Sequence, residues 1–156
     1  MYPLSSSFQD QTRLTSRYLY SGGQGSRCPG DNYSPALSWS QGPPGTMSCA
    51  ITMYDPDAIG GFMHWAIYNI PVTTTALPEM KDGLVGLPSR IALTTNDFGF
   101  AGYGGPCPPP GKIHHYIFTI YALSKLLTNG LSSRELTVEL NKYTLAKGSI
   151  VGLFSS

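Results

Sequence analysis

The side chains best able to do chemistry in this chain fall in two blocks, DPDAIGGFMHWAIYNIP (55–71) and FGFAGYGGPCPPPGKIHHYIFTIYAL (98–123). The first holds Asp55, Asp57 and His64. The second holds His114 and Tyr116 behind a glycine-opened, proline-rich loop that contains Gly104 and Gly105. A carboxylate hydrogen-bonded to an imidazole fixes its tautomer and favours its charged form. Imidazole, phenol O–H and backbone N–H all suit phosphate or carboxylate oxygens, and a carboxylate can accept the proton of a monoprotonated phosphate. Brought together, the two blocks would form a small cup for an anion. Each residue also has a plainer reading: Asp-Pro-Asp as a turn, a strand histidine as a structural residue, Tyr116 as core.

Other chemistries fit less well. GYGGPCPPPGK resembles a phosphate loop only at its end, because Pro106 stands where the first glycine belongs and Ile113 where a Ser or Thr should follow the lysine. Its prolines also lack the N–H groups such a loop needs. There is no serine nucleophile elbow, no HExxH and no CxxC pair, so neither a hydrolase motif nor a zinc site is written in the chain. No metal ligand set and no cofactor are expected. Asn32-Tyr-Ser has the form of a glycosylation sequon and is best explained by chance.

Strands must position these groups. SCAITMYD (48–55) alternates, placing Cys49, Ile51, Met53 and Asp55 on one face. HWAIYNI (64–70) would set His64, Ala66, Tyr68 and Ile70 together, opposite Trp65, Ile67 and Asn69. HHYIFTIYAL (114–123) sets His114, Tyr116, Phe118 and Ile120 on one face and His115, Ile117, Thr119 and Tyr121 on the other. Turn-rich segments at 21–35, 40–46 and 98–112 separate the runs. Near the C-terminus SSRELTVELNKYTL has a helical period, with Ser132 or Ser133 as N-cap and Leu136 and Leu140 one turn apart. LAKGSIVGLFS then reads as a short helical fragment and a strand. The expectation is a mainly β chain with little helix.

With 156 residues the chain is the size of one domain, taken as 1–156. Only 12% of its residues are charged, about half the usual share, and the net charge is +1. That balance gives no field to gather nucleic acid or an anionic membrane surface. No apolar stretch approaches the ~20 residues that cross a bilayer, so no stable membrane insertion is expected. The N-terminus lacks the basic and apolar regions of a signal peptide, which points to the cytoplasm, although a processed periplasmic or secreted form would look the same. The three cysteines make no disulfide framework, and each reads first as a buried small hydrophobe. If one bridge forms, Cys28 with Cys107 is the favoured pair, because both lie in Gly/Pro-rich loops.

DPDA with HWAIYNIP, followed by DFGFAGYGGPCPPPGKIHHYIFTIYAL, resembles the phosphatidylethanolamine-binding protein family, in particular the bacterial and archaeal branch often called Raf-kinase-inhibitor-like. SSSFQD, GDNYSPALSW and LAKGSIVGLFS extend the resemblance to both ends. It implies a β-sandwich with short helices near the C-terminus and a small anion pocket at one edge. The family's pocket residues fall on Asp55, Asp57, His64, Gly104, Gly105, Pro106, His114 and Tyr116, with Pro56 and Trp65 as supports. The chain departs from the family pattern at Ile59, in place of a proline, and at His115, in place of an arginine that strand alternation points away from the pocket. Phe100 and Ile113 also differ, at the expected rim.

The function so implied is binding rather than catalysis: a phosphate-like anion or phospholipid headgroup in the pocket, with a protein kinase or protease as partner. A metal- or acid/base-dependent hydrolase using the same residues is the alternative of a different class. A protein-interaction scaffold with a vestigial pocket is a third. A homodimer would match the habit of bacterial relatives.

Overall fold

The structure is a computed structural model describing residues 4–21, 28 and 30–156. Its strands are β1 (Leu4–Ser6), β2 (Thr12–Arg13), β3 (Tyr33–Ser34), β4 (Leu37–Trp39), β5 (Ser48–Asp55), β6 (Phe62–Ile70), β7 (Ala76–Leu77), β8 (Met80–Lys81), β9 (Ala92–Leu93), β10 (His114–Leu123) and β11 (Thr144–Phe154). One α-helix, α1 (Ser133–Tyr143), precedes β11, and a 3-10 turn covers Ser16–Tyr18. The molecule is mainly β.

The main sheet runs β2-β11-β10-β5-β6-β9, and the second runs β1-β4-β7. Apolar residues of both meet in one core: Leu37, Trp39 and Leu77 from the small sheet, Ile51, Met53, Ile67, Phe118 and Ile120 from the large one. That is the β-sandwich, two sheets burying their inner faces against each other. The outer face of the large sheet has its own smaller core. Leu136 and Leu140 of α1, one turn apart as their spacing predicts, pack there on Ala50, Ala66, Tyr68 and Leu123.

β5 and β10 run where the alternation places them, paired antiparallel with Phe118 opposite Met53 and Ile120 opposite Ile51. β6 is different. It begins at Phe62, two residues early, and its register against β5 shifts twice, between Met53 and Tyr54 and again between Cys49 and Ile51. Each shift inserts an extra residue into β6, and such bulges change which face the following side chain takes. Trp65, Ile67 and Ile70 therefore belong to the sandwich core, whereas Ala66 and Tyr68 face α1. The expected face of His64, Ala66, Tyr68 and Ile70 does not exist. Asn69 explains one break: its backbone is left-handed at φ 57°, and its side chain both donates to the Leu127 carbonyl at 2.7 Å and accepts from the Leu127 N–H at 2.9 Å. A side-chain bond to a residue 58 positions away has outcompeted the strand's period.

The C-terminal segment also departs from expectation. Leu145 to Lys147 are strand, not helix, because β11 pairs with the whole of β10 from Phe154↔His114 to Thr144↔Leu123. Ladder pairing across ten residues overrides a weak local helical preference.

Candidate functional site

Two strand ends and one loop build the site. Asp55 closes β5 one position beyond the Tyr54↔Ile117 pair, which sets it level with Tyr116 and diagonal to His114 on the inner face. His114 opens β10, and its Nδ1 lies 2.6 Å from Asp55 Oδ2. The other carboxylate oxygen, Oδ1, accepts the Asp57 N–H at 2.8 Å, closing the turn that follows β5. Gly60 and Gly61, at φ 77° and 75°, return the chain into β6. The bulge near the start of β6 then re-aims His64 onto the inner face beside Trp65. Its imidazole stands edge-on to Tyr116, ring centroids 5.2 Å apart.

Asp55, His64, His114 and Tyr116 line one cavity of about 170 Å3 together with Ala58, Phe62, Phe98, Cys107, Pro108 and Pro109. Pockets that engulf drug-sized ligands measure ~300–1,000 Å3. This one admits a small group. Its ionisable members are nearly dry, with Asp55 2%, His64 4% and His114 6% exposed.

His64 and the glycine loop clasp each other. The imidazole donates Nδ1–H to the Gly104 carbonyl at 2.6 Å, and Gly104 N–H donates to the His64 carbonyl at 3.1 Å. A carbonyl can only accept, so the proton sits on Nδ1 and Nε2 carries the lone pair of the neutral ring. Burial pushes the His64 pKa down to about 4, and the Gly104 bond and the Asp55 and Asp97 carboxylates only partly oppose it. The Tyr116 hydroxyl is shifted the other way. Burial raises its pKa and the Asp55 and Asp57 charges add to that, so it stays an O–H donor.

Several expected members of the site do other work. Gly104 and Gly105 offer no N–H to the cavity: the first is spent on His64, and the second donates to Asn32 Oδ1 at 2.8 Å. Gly105 is instead a close-approach glycine, since a Cβ there would lie 2.2 Å from the Tyr18 carbonyl oxygen. Pro106 gives its carbonyl to Tyr20 N–H at 3.1 Å and does not line the cavity. The next three positions, Cys107 to Pro109, are the ones on the loop side. Asp57 faces outward, accepting from His115 N–H at 2.7 Å and lying 2.8 Å from His115 Nδ1. Burial works to raise the Asp57 pKa, but those His115 bonds outweigh it and hold the carboxyl below its ordinary value. His115 thus pairs outside the cavity, as alternation requires. Pro56 is exposed in the turn, and Trp65 is buried behind the site against Tyr103 rather than in the cavity wall.

The cysteines meet as their loop positions favour: Cys28 and Cys107 form a disulfide with Cα atoms 5.6 Å apart. Cys107 is itself part of the cavity wall, and Cys49 is buried in the core. Sequence reasoning missed the apolar wall. Phe62 packs tilted against His64 and edge-on to Phe98, and Phe98 stacks on Tyr20 and Phe100; phenylalanines flanking both glycine turns were the available signal. Asn32 was missed as well. It is buried, left-handed at φ 56°, and its amide donates to Asp82 Oδ1 at 3.0 Å and the Tyr103 carbonyl at 2.7 Å. That amide, engaged on three sides, is a brace for the glycine loop and no glycosylation acceptor in the folded chain. Among the described residues, no cluster of three or more His, Cys, Asp or Glu is arranged to hold a metal ion.

A sandwich with this edge cavity defines a class. The family model described as phosphatidylethanolamine-binding protein matches residues 4–155, and the chain belongs to that family. Its relatives lie in the bacterial and archaeal branch. It is 37% identical over 158 residues to the UPF0098 protein YbhB of Escherichia coli, covering 97% of this chain and 98% of that one. It is 37% identical over 150 residues to a UPF0098 protein of Methanothermobacter thermautotrophicus, covering 94% and 93%. The crystal structure of Escherichia coli YbcL, described as a new member of the mammalian PEBP family, superposes with a TM-score of 0.90 at 37% identity, covering 99% of this chain and 98% of that one.

Proposed function

We propose that the protein is a binding module whose cavity takes one small phosphate-like group, free or borne on a headgroup or a phosphorylated side chain, and that the surrounding surface modulates a kinase or protease partner. One observation carries the reading: Asp55, His64, His114 and Tyr116, drawn from three strands, converge on a single cavity large enough for a few heavy atoms. His114, held by Asp55, and the Tyr116 O–H supply donors for an oxyanion. Family membership supports ligand binding over catalysis, and no activated nucleophile stands in the cavity. Affinity is weak, because a site gripping one small anion beside open water has few atoms to work with. The Cys28–Cys107 bridge favours an oxidising compartment. No helix among the described residues is long and apolar enough to cross a membrane.

The test is a titration of the full chain with inorganic phosphate and with phosphoethanolamine, followed by amide chemical shifts. Both bind at millimolar strength, and His114→Ala and His64→Ala each weaken them by about tenfold or more. Undiminished affinity in both variants sinks the reading. Inhibition of a kinase or protease panel is lost in the same variants; inhibition that survives loss of phosphate binding favours the scaffold alternative.

A further inference from the structure

The geometry points to a guest that brings its own proton: within the anion reading above, on which this inference rests, the cavity selects a protonated phosphate or phosphomonoester over a tetrahedral anion with no proton to give. Donors are scarcer than the residue types suggest. The loop N–H groups of Gly104 and Gly105 are committed to His64 and Asn32. The wall formed by Pro108 and Pro109 has no N–H to offer. Ala58 and Cys107, also in the lining, each have a backbone N–H; the side-chain donors are the Tyr116 O–H, and the Nε2–H of His114 when that ring holds two protons, its Nδ1 being turned to Asp55.

Acceptors are equally prominent. Asp55 uses each oxygen once, toward His114 and Asp57 N–H, and keeps further lone pairs at a position 2% exposed. His64 has given Nδ1–H to the Gly104 carbonyl, so the ring nitrogen left for the cavity is an acceptor. Burial keeps that ring neutral until about pH 4. The ionisable groups around it are Asp55 from β5, His114 and Tyr116 from β10, and Asp97, whose Oδ2 is already engaged by Met63 N–H at 2.7 Å. A sulfate or a phosphodiester offers only acceptor oxygens, which would meet the Asp55 carboxylate and the His64 lone pair with no hydrogen between them. A phosphate monoanion, or a monoester with one proton, accepts from Tyr116 and His114 while donating to Asp55 or His64. The doubly esterified phosphate of an intact phospholipid is then a poorer guest than a monoester, free or on a protein.

The pH response follows from the guest. A phosphomonoester dianion takes up one proton near pH ~6, so its affinity rises as pH falls from about 8 to about 5.5. Sulfate carries no proton anywhere in that window, so the ratio of monoester to sulfate affinity rises as pH falls.

The experiment titrates the full wild-type chain with methyl phosphate, sulfate and dimethyl phosphate at fixed ionic strength, at about pH 5.5, 6.5 and 8. At the lowest pH methyl phosphate binds about tenfold or more tightly than either of the others, and it loses about tenfold by the highest, where it has no proton left to give. Sulfate or dimethyl phosphate matching methyl phosphate at the lowest pH, or a flat methyl phosphate profile, overturns the inference and leaves the anion site standing. No binding by any of the three overturns the anion site and the inference with it.

Discussion

His64 shows how a residue's type and its role separate. As an unperturbed imidazole it would titrate near pH ~6.5 and donate to an anion from either nitrogen. In place it is neutral, its Nδ1–H is given to the Gly104 carbonyl, and burial holds its pKa at about 4. The unfolded chain therefore takes up a proton between about pH 6.5 and 4 that the folded chain refuses. Stability rises with pH across that window and falls on acidification, by about 3 kcal/mol in all. His64→Asn keeps a donor for the Gly104 carbonyl and cannot titrate. Urea unfolding between pH 7 and 4 should show a shallower loss in this variant than in the wild type, by a comparable amount; parallel profiles would contradict the assignment. The sequence announced the histidine and its strand. It could not announce the bulge that aims the ring, nor that the glycine N–H groups are consumed by His64 and by Asn32, 73 residues away.

Elements were more legible, because their signals are local. β5 and β10 run over 48–55 and 114–123 as alternation indicates, and α1 is capped by Ser132, one of the two serines expected there, within a capping box. Ser132 Oγ accepts the Glu135 N–H at 3.1 Å while the Glu135 carboxylate accepts the Ser132 N–H at 2.9 Å. Those bonds hold the Glu135 carboxyl below its usual range. Ser132→Ala removes one half of the box and should lower stability by about 1 kcal/mol, a drop in Tm of roughly 2–4 °C. Because α1 packs on the outer face of the large sheet and the cavity opens from the inner one, phosphate affinity should not change. Thermal unfolding with a parallel titration checks both halves, and a loss of affinity would mean that the two faces are coupled. Where element readings failed, in β6 and at Leu145–Lys147, a tertiary partner had replaced the local rule: Leu127 holding Asn69, and β10 holding β11.

For the molecule as a whole, the Cys28–Cys107 bridge joins residues 79 positions apart and closes onto the cavity wall. Cross-linking so long a loop restricts the unfolded chain, and its loss should lower stability by about 2–4 kcal/mol. Reduction by a dithiol, or Cys107→Ser, measured by urea unfolding, checks this. Stability unchanged on reduction would show that the bridge contributes nothing beyond the packing of its loop.

Alternation, turn-forming glycines and prolines, the helix cap and the two polar blocks were fixed by the chain alone, since each depends on neighbours a few residues apart. So were the family and the β-rich architecture. Only the folded molecule decided which polar groups remain free. A hydrogen bond is satisfied by whatever approaches in space, and burial sets a pKa through surroundings that come from every strand at once. That is why Asp57 and the glycine N–H groups left the expected cup, why Phe62 and Phe98 entered it, and why His64 stands there as an acceptor.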